Sequence, residues 1–363
     1  MKNIQKKEII ADNFWQGKRV LVTGHNGFKG SWLSLWLLQM GAKVSGISLA
    51  PGNQPCLFDQ LSIEDQMDSR ILDIREKDKL RCAVKEINPD IVFHLAAQPL
   101  VLRSYKDPVE TWETNVMGTV FLLEALRSID KMCSAILITT DKVYRNEEWL
   151  YGYRENDPLG GFDPYSSSKA ASELAIASWR SSFCGNLSHQ KENLLIASAR
   201  AGNVIGGGDW SENRIVPDII RSLQANKQII IRNPSSTRPW QHVLEPLSGY
   251  LLLAKQLTKK GINYASSFNF GPQLGSNKTV LELVQESLKF WPGEYIFQDY
   301  SKAPHEAGML NLSTDKSFHQ LKWQPKWDFS TTISRTINWY KNIYENKSSA
   351  LESSLEDLSI YTQ

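Results

Sequence analysis

Thr23-Gly24-His25-Asn26-Gly27-Phe28-Lys29-Gly30 stands between the apolar run Val20-Leu21-Val22 and a stretch of helical periodicity. That placement decides the fold. An apolar run followed at once by glycines at 24, 27 and 30 reads as strand, tight turn and helix. Gly24 permits the turn, Gly27 lets the backbone approach a pyrophosphate, and Gly30 allows close helix packing. Dinucleotide phosphates would sit at the helix N-terminus, where the backbone N–H groups point outward. Leu33, Trp36, Leu37 and Met40 recur at i, i+3, i+4 and i+7, and Gly41 stops the helix. Asn26 and Phe28 of the same loop are expected to line the cofactor site.

Beyond the loop, short apolar runs at 20–22, 44–49, 91–95, 135–138 and 194–199 alternate with helical stretches, as an α/β fold with a doubly wound parallel sheet of Rossmann type requires. One of those helices, 109–128, is expected to bury Val116, Val120, Leu123 and Leu126. From Arg200 the character changes. Gly206-Gly207-Gly208-Asp209-Trp210, several prolines and shorter helical runs read as loops over a substrate site. The expected organisation is a dinucleotide-binding domain at 14–200 with 235–262 and a smaller, interlocked substrate-binding domain at 201–234 with 263–345. Residues 346–363, rich in Ser, Glu and Leu, read as a frayed tail.

Bulk properties restrict little. The 363 residues, 41% hydrophobic and 22% charged, can bury a sizeable core, and a net charge of +2 gives no electrostatic reason to expect nucleic acid or an anionic membrane as partner. Cys56, Cys82, Cys133 and Cys184 are too scattered for a zinc site or a disulfide framework, so no metal is expected. The segment from Met1 to Asn13 has no apolar signal core, and no run approaches the ~20 apolar residues of a membrane span. A cytoplasmic location is the expectation.

The chemistry is carried by Ile138-Thr139-Thr140-Asp141-Lys142-Val143-Tyr144 and by Tyr165-Ser-Ser-Ser-Lys169. Residues four apart share a helix face, so Lys169 can reach the neighbourhood of the Tyr165 hydroxyl. An ammonium there would draw the phenol down from its ordinary ~10 and make Tyr165 a base near neutral pH.

Together with the glycine loop, His94-Leu95-Ala96-Ala97-Gln98 and Asn115-Val116-Met117-Gly118-Thr119, these residues resemble the extended short-chain dehydrogenase/reductase family over nearly the whole chain. Thr140-Asp141 before Val143-Tyr144 is similar to the nucleotide-sugar 4,6-dehydratases, most of which carry Asp-Glu there. The Asp141-Lys142 departure, with Gly24 to Trp32 and Arg238-Pro239-Trp240-Gln241-His242-Val243, resembles the CDP-glucose 4,6-dehydratase subgroup.

The resemblance implies NAD as cofactor, CDP-glucose as substrate, and a homodimer or homotetramer. It implies that Tyr165 takes the proton of the glucose 4-hydroxyl, assisted by Thr140, that Asp141 protonates the departing C6 hydroxyl, and that Lys142 removes the C5 proton or steadies the enolate. Gly24, Gly27, Gly30, Ala96, Ala97, Gln98, Asn115, Tyr165 and Lys169 would contact the cofactor, and Asp73 with Ile74 would meet its adenine. Asp73 could equally cap the following helix. The carboxylate commonly found ~20 residues past the glycine loop to hold the ribose is missing, because Ile47-Ser48-Leu49-Ala50-Pro51 stands there. Arg238, Arg214 and Asn203 are the candidates for the nucleotide sugar, guanidinium groups suiting phosphate oxygens. Rival readings are a 4-epimerase using the same cofactor and Tyr165, which Asp141-Lys142 opposes, and a non-enzymatic dinucleotide sensor, which the presence of both Tyr165 and Lys169 opposes.

Overall fold

The computed structural model describes residues 13–52, 55–185, 193–298 and 309–363. The stretch expected to carry no signal core lies outside them but for Asn13. Among the described residues, seven parallel strands form one sheet: β1 (Arg19–Thr23), β2 (Lys43–Ser48), β3 (Asp68–Ile71), β4 (Ile91–His94), β5 (Cys133–Ile138), β6 (Leu194–Ala201) and β11 (Ser267–Phe270). Their order, β11-β6-β5-β4-β1-β2-β3, reverses between β1 and β4, and a crevice at the carboxyl ends of those strands is where such sheets bind ligands. Val20 faces Val44 on one side and Ile91 on the other. Alternation along the strands feeds two cores. Val20, Val22, Phe93 and Ile136 pack with Trp32, Leu33 and Leu247 on one face, while Leu21, Val92, Ala135 and Leu137 pack with Leu80, Leu122 and Leu126 on the other.

The helices are α1 (Phe28–Gln39), α2 (Leu57–Leu61), α3 (Lys77–Ile87), α4 (Val101–Lys106), α5 (Pro108–Trp112), α6 (Gly118–Arg127), α7 (Pro164–Phe183), α8 (Ile215–Gln224), α9 (Leu244–Lys260), α10 (Val280–Phe290), α11 (Phe329–Tyr344) and α12 (Ala350–Thr362). Paired strands β7 (Val204–Ile205) with β10 (Gln241–His242), β8 (Ile229–Ile231) with β13 (Tyr295–Phe297), and β9 (Thr237–Pro239) with β12 (Asn277–Thr279) shape the loops beyond β6. No helix of the described residues is long and apolar enough to cross a membrane.

Four expectations are corrected. The edge strand β3 was not foreseen, because Asp68-Ser69-Arg70-Ile71 has no apolar run. β11 belongs to the central sheet rather than to the second domain, since Phe268 and Phe270 are fully buried against β6. The helix expected over 109–128 is interrupted by a wide π-type turn at Glu113–Met117. That turn rotates the buried face, so Val116 and Val120 are only half-buried while Leu122, Leu123, Ala125 and Leu126 fill the core.

The fourth correction is the tail, which is helix α12. Ser349 and Glu352 form a capping box, Leu358 and Tyr361 are buried, and the Tyr361 ring lies 5.9 Å from Trp36 of α1. Tyr361 Oη donates to Glu245 Oε2 at 2.6 Å, and the same carboxylate accepts the Lys326 and Trp327 N–H groups. The Ser-x-x-Glu signature was present in the sequence, but the partners that hold the helix down are distant along the chain.

Asp357 of α12 is buried with one carboxylate oxygen unpartnered, and burial pushes its pKa from 3.8 to about 7 against the pull of Arg335 at 3.6 Å. The folded chain therefore holds that proton between roughly pH 4 and pH 7 where the unfolded chain has released it, so stability from this group falls as pH rises through that window and stays low above it. Asp357→Asn should raise the thermal unfolding midpoint by a few degrees at about pH 8 and by less at about pH 5. Melts of the two proteins at both pH values check this, and an equal or lower midpoint at pH 8 would mean that the Arg335 pairing outweighs burial.

Candidate active site

The glycine loop is packed as its spacing requires. Gly24 has φ +73°, and its N–H donates to Ile47 O at 2.7 Å, binding the turn to β2. A methyl on Gly24 would meet Ala96 N at 2.8 Å, and one on Gly30 would meet Gly24 O at 2.0 Å. Gly27 is exposed, and no side chain caps α1, which leaves first-turn N–H groups able to hold a diphosphate. The residues present therefore fit a dinucleotide.

Polar contacts fix the rest of that cleft. Asn26 Nδ2 donates to Leu49 O at 2.7 Å, and its Oδ1 accepts from Ser48 Oγ at 2.5 Å, so Ser48 occupies the end of β2 where a ribose-binding carboxylate was sought. Phe28 is half-buried beside Gly206. Asp73 is clasped by Arg75, which donates from its backbone N–H at 2.9 Å and its guanidinium at 2.6 Å and holds the carboxyl below the usual range. It does not cap α3, whose N-cap is Glu76, while Ile74 packs on Gly118. Ala96 N donates to Thr23 Oγ1, and half-buried Ala97 leads to Gln98, whose N–H donates to Asn115 Oδ1 at 2.8 Å. Asn115 Nδ2 donates in turn to Ser168 Oγ of α7 at 2.9 Å, so the wide turn serves to aim Asn115 inward.

At the end of β5, Thr140 starts a short turn. Its Oγ1 donates to Asp141 Oδ1 at 2.8 Å, and Asp141 is 2% exposed with its other oxygen against Gly202. Lys142 is half-buried and bonded through its backbone N–H to Thr140 Oγ1. Tyr165 lies on the first turn of α7, which Asp163 caps, and its N–H donates to Ser104 Oγ at 3.1 Å. The Thr140 hydroxyl also lies close enough to the Tyr165 phenol to draw its pKa down. Thr140 thus touches both the tyrosine and the acid.

The electrostatics differ from the expectation. Burial pushes Tyr165 up to about 12, opposed by the Thr140 hydrogen bond and by Arg214, and Lys169 does not bring it down. The Lys169 amine instead donates to Ile138 O at 3.3 Å, and its own pKa is pushed down to about 8 by burial, with Glu173 one turn along α7 opposing. Low polarity penalises phenolate and ammonium alike, and here that penalty exceeds the attraction between them.

Two buried residues that the sequence reading missed hold this arrangement. Glu173 accepts from Thr139 Oγ1 at 2.5 Å, Ser198 Oγ at 2.8 Å and Arg200 Nη2 at 2.8 Å. Arg200 also donates to Tyr144 Oη at 2.8 Å, and Tyr144 Oη donates to Asn269 Oδ1 at 2.7 Å. Residues four apart on α7 place Glu173 beneath Lys169, a signal that spacing alone could have supplied.

Of the substrate candidates, Arg214 Nη1 pairs with Asp209 at 3.0 Å and its charge is felt at Tyr165. Asn203 follows Gly202, the residue against Asp141, and is half-buried. Arg238 is buried on β9 with Nη1 donating to Thr237 O at 2.8 Å, and the next residue, Pro239, flanks Gly202 opposite Asp141. Lys29, within the glycine loop, joins the group unannounced: Arg214, Asp141 and Lys169 all act on its charge.

Comparison with known proteins agrees with this geometry. The profile of the GDP-mannose 4,6-dehydratase family matches residues 21–336. The chain is 50% identical over 334 residues to a CDP-glucose 4,6-dehydratase of Salmonella typhimurium, covering 92% of this chain and 93% of that one. Among solved structures, an epimerase of Methanothermobacter thermautotrophicus superposes with a TM-score of 0.76 at 22% identity, covering 94% and 97% of the two chains. A dTDP-glucose 4,6-dehydratase of Streptomyces venezuelae, solved with NAD, does so at 0.74 and 21% identity, covering 89% and 97%. Likeness at that identity speaks for the fold. With the motifs and the 50% relative, the chain belongs to the GDP-mannose 4,6-dehydratase family, among the extended short-chain dehydrogenases/reductases.

Proposed function

We propose that the chain is a nucleotide-sugar 4,6-dehydratase, a hydro-lyase that converts CDP-D-glucose to CDP-4-keto-6-deoxy-D-glucose and water in deoxysugar formation. The observation that carries this reading is the buried Asp141, bonded to Thr140, whose hydroxyl also acts on the tyrosine of the Tyr-x-x-x-Lys pair. A carboxylic acid beside the oxidising centre is what loss of a C6 hydroxyl needs and a 4-epimerase lacks. The loop from Gly24 to Gly30 would hold NAD, which would supply a reversible hydride acceptor for oxidation at C4 and later reduction at C6.

The residues move protons in turn. Tyr165 receives the proton of the C4 hydroxyl, its oxygen oriented by Thr140. The 4-ketone acidifies the C5 hydrogen, which Lys142 removes or whose enolate oxygen it steadies. Asp141 protonates the C6 oxygen as it leaves as water, and a proton returns to C5. Lys169 orients the ribose side of the cofactor and carries charge near Tyr165. The regions beyond β6, with Arg214, Arg238 and Asn203, hold the nucleotide diphosphate. For self-association, α4, α5 and the turn after it expose Leu102, Tyr105, Val109, Trp112 and Met117 next to α7, and a second copy covering this apolar face fits the expected homodimer.

Mass analysis of products from CDP-, dTDP-, GDP- and UDP-linked glucose with NAD supplied tests the assignment. A 4-keto-6-deoxy product from CDP-glucose in preference to the others is expected, and a C4 epimer without loss of water would replace the reading. Three further outcomes are expected. Tyr165→Phe should abolish turnover while cofactor affinity, measured by titration, stays within about threefold, since the hydroxyl serves proton transfer; equal loss of both would remove Tyr165 from that role. Because burial holds Tyr165 as a phenol well above neutrality, its reactive phenolate fraction grows with pH. The rate of C4 oxidation in single turnover should therefore rise between about pH 6 and pH 9, and a flat profile would take proton removal from Tyr165. Asp141→Asn should leave C4 oxidation intact and slow loss of the C6 hydroxyl by roughly 10²-fold, so reduced nicotinamide accumulates at ~340 nm. No reduction at all would show that Asp141 acts before dehydration.

A further inference from the structure

Lys29 is the one cation inside the glycine loop, on the first turn of α1 between Phe28 and Gly30. The turn is closely packed there, because Gly30 has no room for even a methyl against Gly24 O. The Lys29 side chain is half-buried. Phe28 beside it packs on Gly206, and Gly206 O and Asp209 O both accept from Tyr340 Oη, which sets the loop carrying Asp209 and its partner Arg214 at the N-terminus of α8 against the start of α1. The charges of Arg214, of Asp141 after β5 and of Lys169 on α7 are felt at the Lys29 amine.

The charge pattern is unbalanced. Arg214 acts on Lys29 more strongly than Asp141 does, and Lys169 adds a second like charge, so burial and repulsion together push the Lys29 amine down to about 8. Arg214 pairs with Asp209 at 3.0 Å, and Asp141 already accepts from Thr140. Among the described residues no acceptor takes a hydrogen bond from the Lys29 ammonium. Three N–H donors on a partly desolvated cation, beside a guanidinium, make a costly arrangement that an anion with several oxygens would relieve.

We infer that Lys29 and Arg214 together bind the diphosphate of the nucleotide sugar, so that the loop whose backbone holds one ligand uses a side chain to hold the other. This rests on the nucleotide-sugar reading above. A phosphate bridging the two cations removes their repulsion and gains charge-assisted hydrogen bonds from both, while Arg214 supplies the planar fork and Lys29 the adaptable point charge. The sugar attached to that phosphate is then carried toward Tyr165 and Asp141, groups whose charges already interact with Arg214 or Lys29. Lys29 is a binding and positioning residue here and takes no part in bond making.

The test uses the full chain and cytidine diphosphate as probe. Titration calorimetry of Lys29→Met should show affinity for CDP weakened about 10- to 100-fold relative to the parent, with affinity for NAD changed less than about threefold, and Lys29→Arg should recover most of the CDP affinity. In turnover, KM for CDP-glucose should rise in Lys29→Met more than kcat falls. Unchanged CDP affinity in Lys29→Met would overturn the inference, as would a loss confined to NAD, which would assign Lys29 to the cofactor. A matched loss of both ligands together with a lowered unfolding midpoint would mean that the side chain only supports α1, and would also overturn it. If the parent chain itself binds no CDP, the nucleotide-sugar reading fails first, so the two failures are told apart.

Discussion

The pair of Glu173 with Arg200, 2.8 Å apart and with side chains 1% and 3% exposed, is the constraint on which the site depends. Burying two charges is favourable only when geometry is good and every remaining donor and acceptor is satisfied. Here Thr139 from the end of β5, Ser198 from β6, Ser267 from β11 and Tyr144 from the turn after Asp141 bond the pair, and only Nε of the Arg200 guanidinium is left without a partner. Four segments are thereby locked to one helix. Thr139 precedes Thr140 and Asp141, while Glu173 stands on the helix of Tyr165 and Lys169, so the ion pair sets the register between the two halves of the chemistry. Sliding α7 by one residue would leave two buried charges unpaired, at a cost of several kcal/mol.

A second constraint comes from α1. From Gly30 to Leu37 it is buried on every side. The helix that follows the glycine loop is therefore a core element, and its position is set by packing. His94, pushed down to about 3 by burial, belongs to the same scaffold, with Nδ1 bonded to Thr23 Oγ1 at 2.7 Å and Nε2 to Thr119 Oγ1 at 3.0 Å. A neutral imidazole clamps the glycine-loop strand to α6, so this histidine at the cleft edge is structural.

What could be read from the sequence divides along a physical line. The glycine loop, the core strands and the Tyr-x-x-x-Lys pair are local patterns, in which residues a few positions apart determine one another, and they needed no knowledge of the fold. β11, the packing of α12 and the Glu173–Arg200 pair are settled by partners far along the chain, and short runs such as Ser267–Phe270 look alike whether they enter a sheet or a loop. The state of Tyr165 is not legible, because the nearness of Lys169 along the sequence carries no sign of the desolvation that both groups suffer. Lys29 is not legible as a ligand group, because glycines identify the loop through its backbone and say nothing of what surrounds this side chain. Its neighbours Arg214 and Asp141 come from segments with no sequence relation to it.

Helix α12 bears on how the protein comes to be folded. Tyr361 packs on Trp36 and completes the hydrogen bonding of Glu245. Residues from opposite ends of the described chain thus close the same layer. During synthesis Trp36 at the far end of α1 stays without its Tyr361 cover until residues 350–362 have emerged, a long interval in which that patch is available to chaperones and to other nascent chains. Shortening the polypeptide by a dozen residues at this end would make the exposure permanent, and loss of soluble yield would precede any change in catalysis.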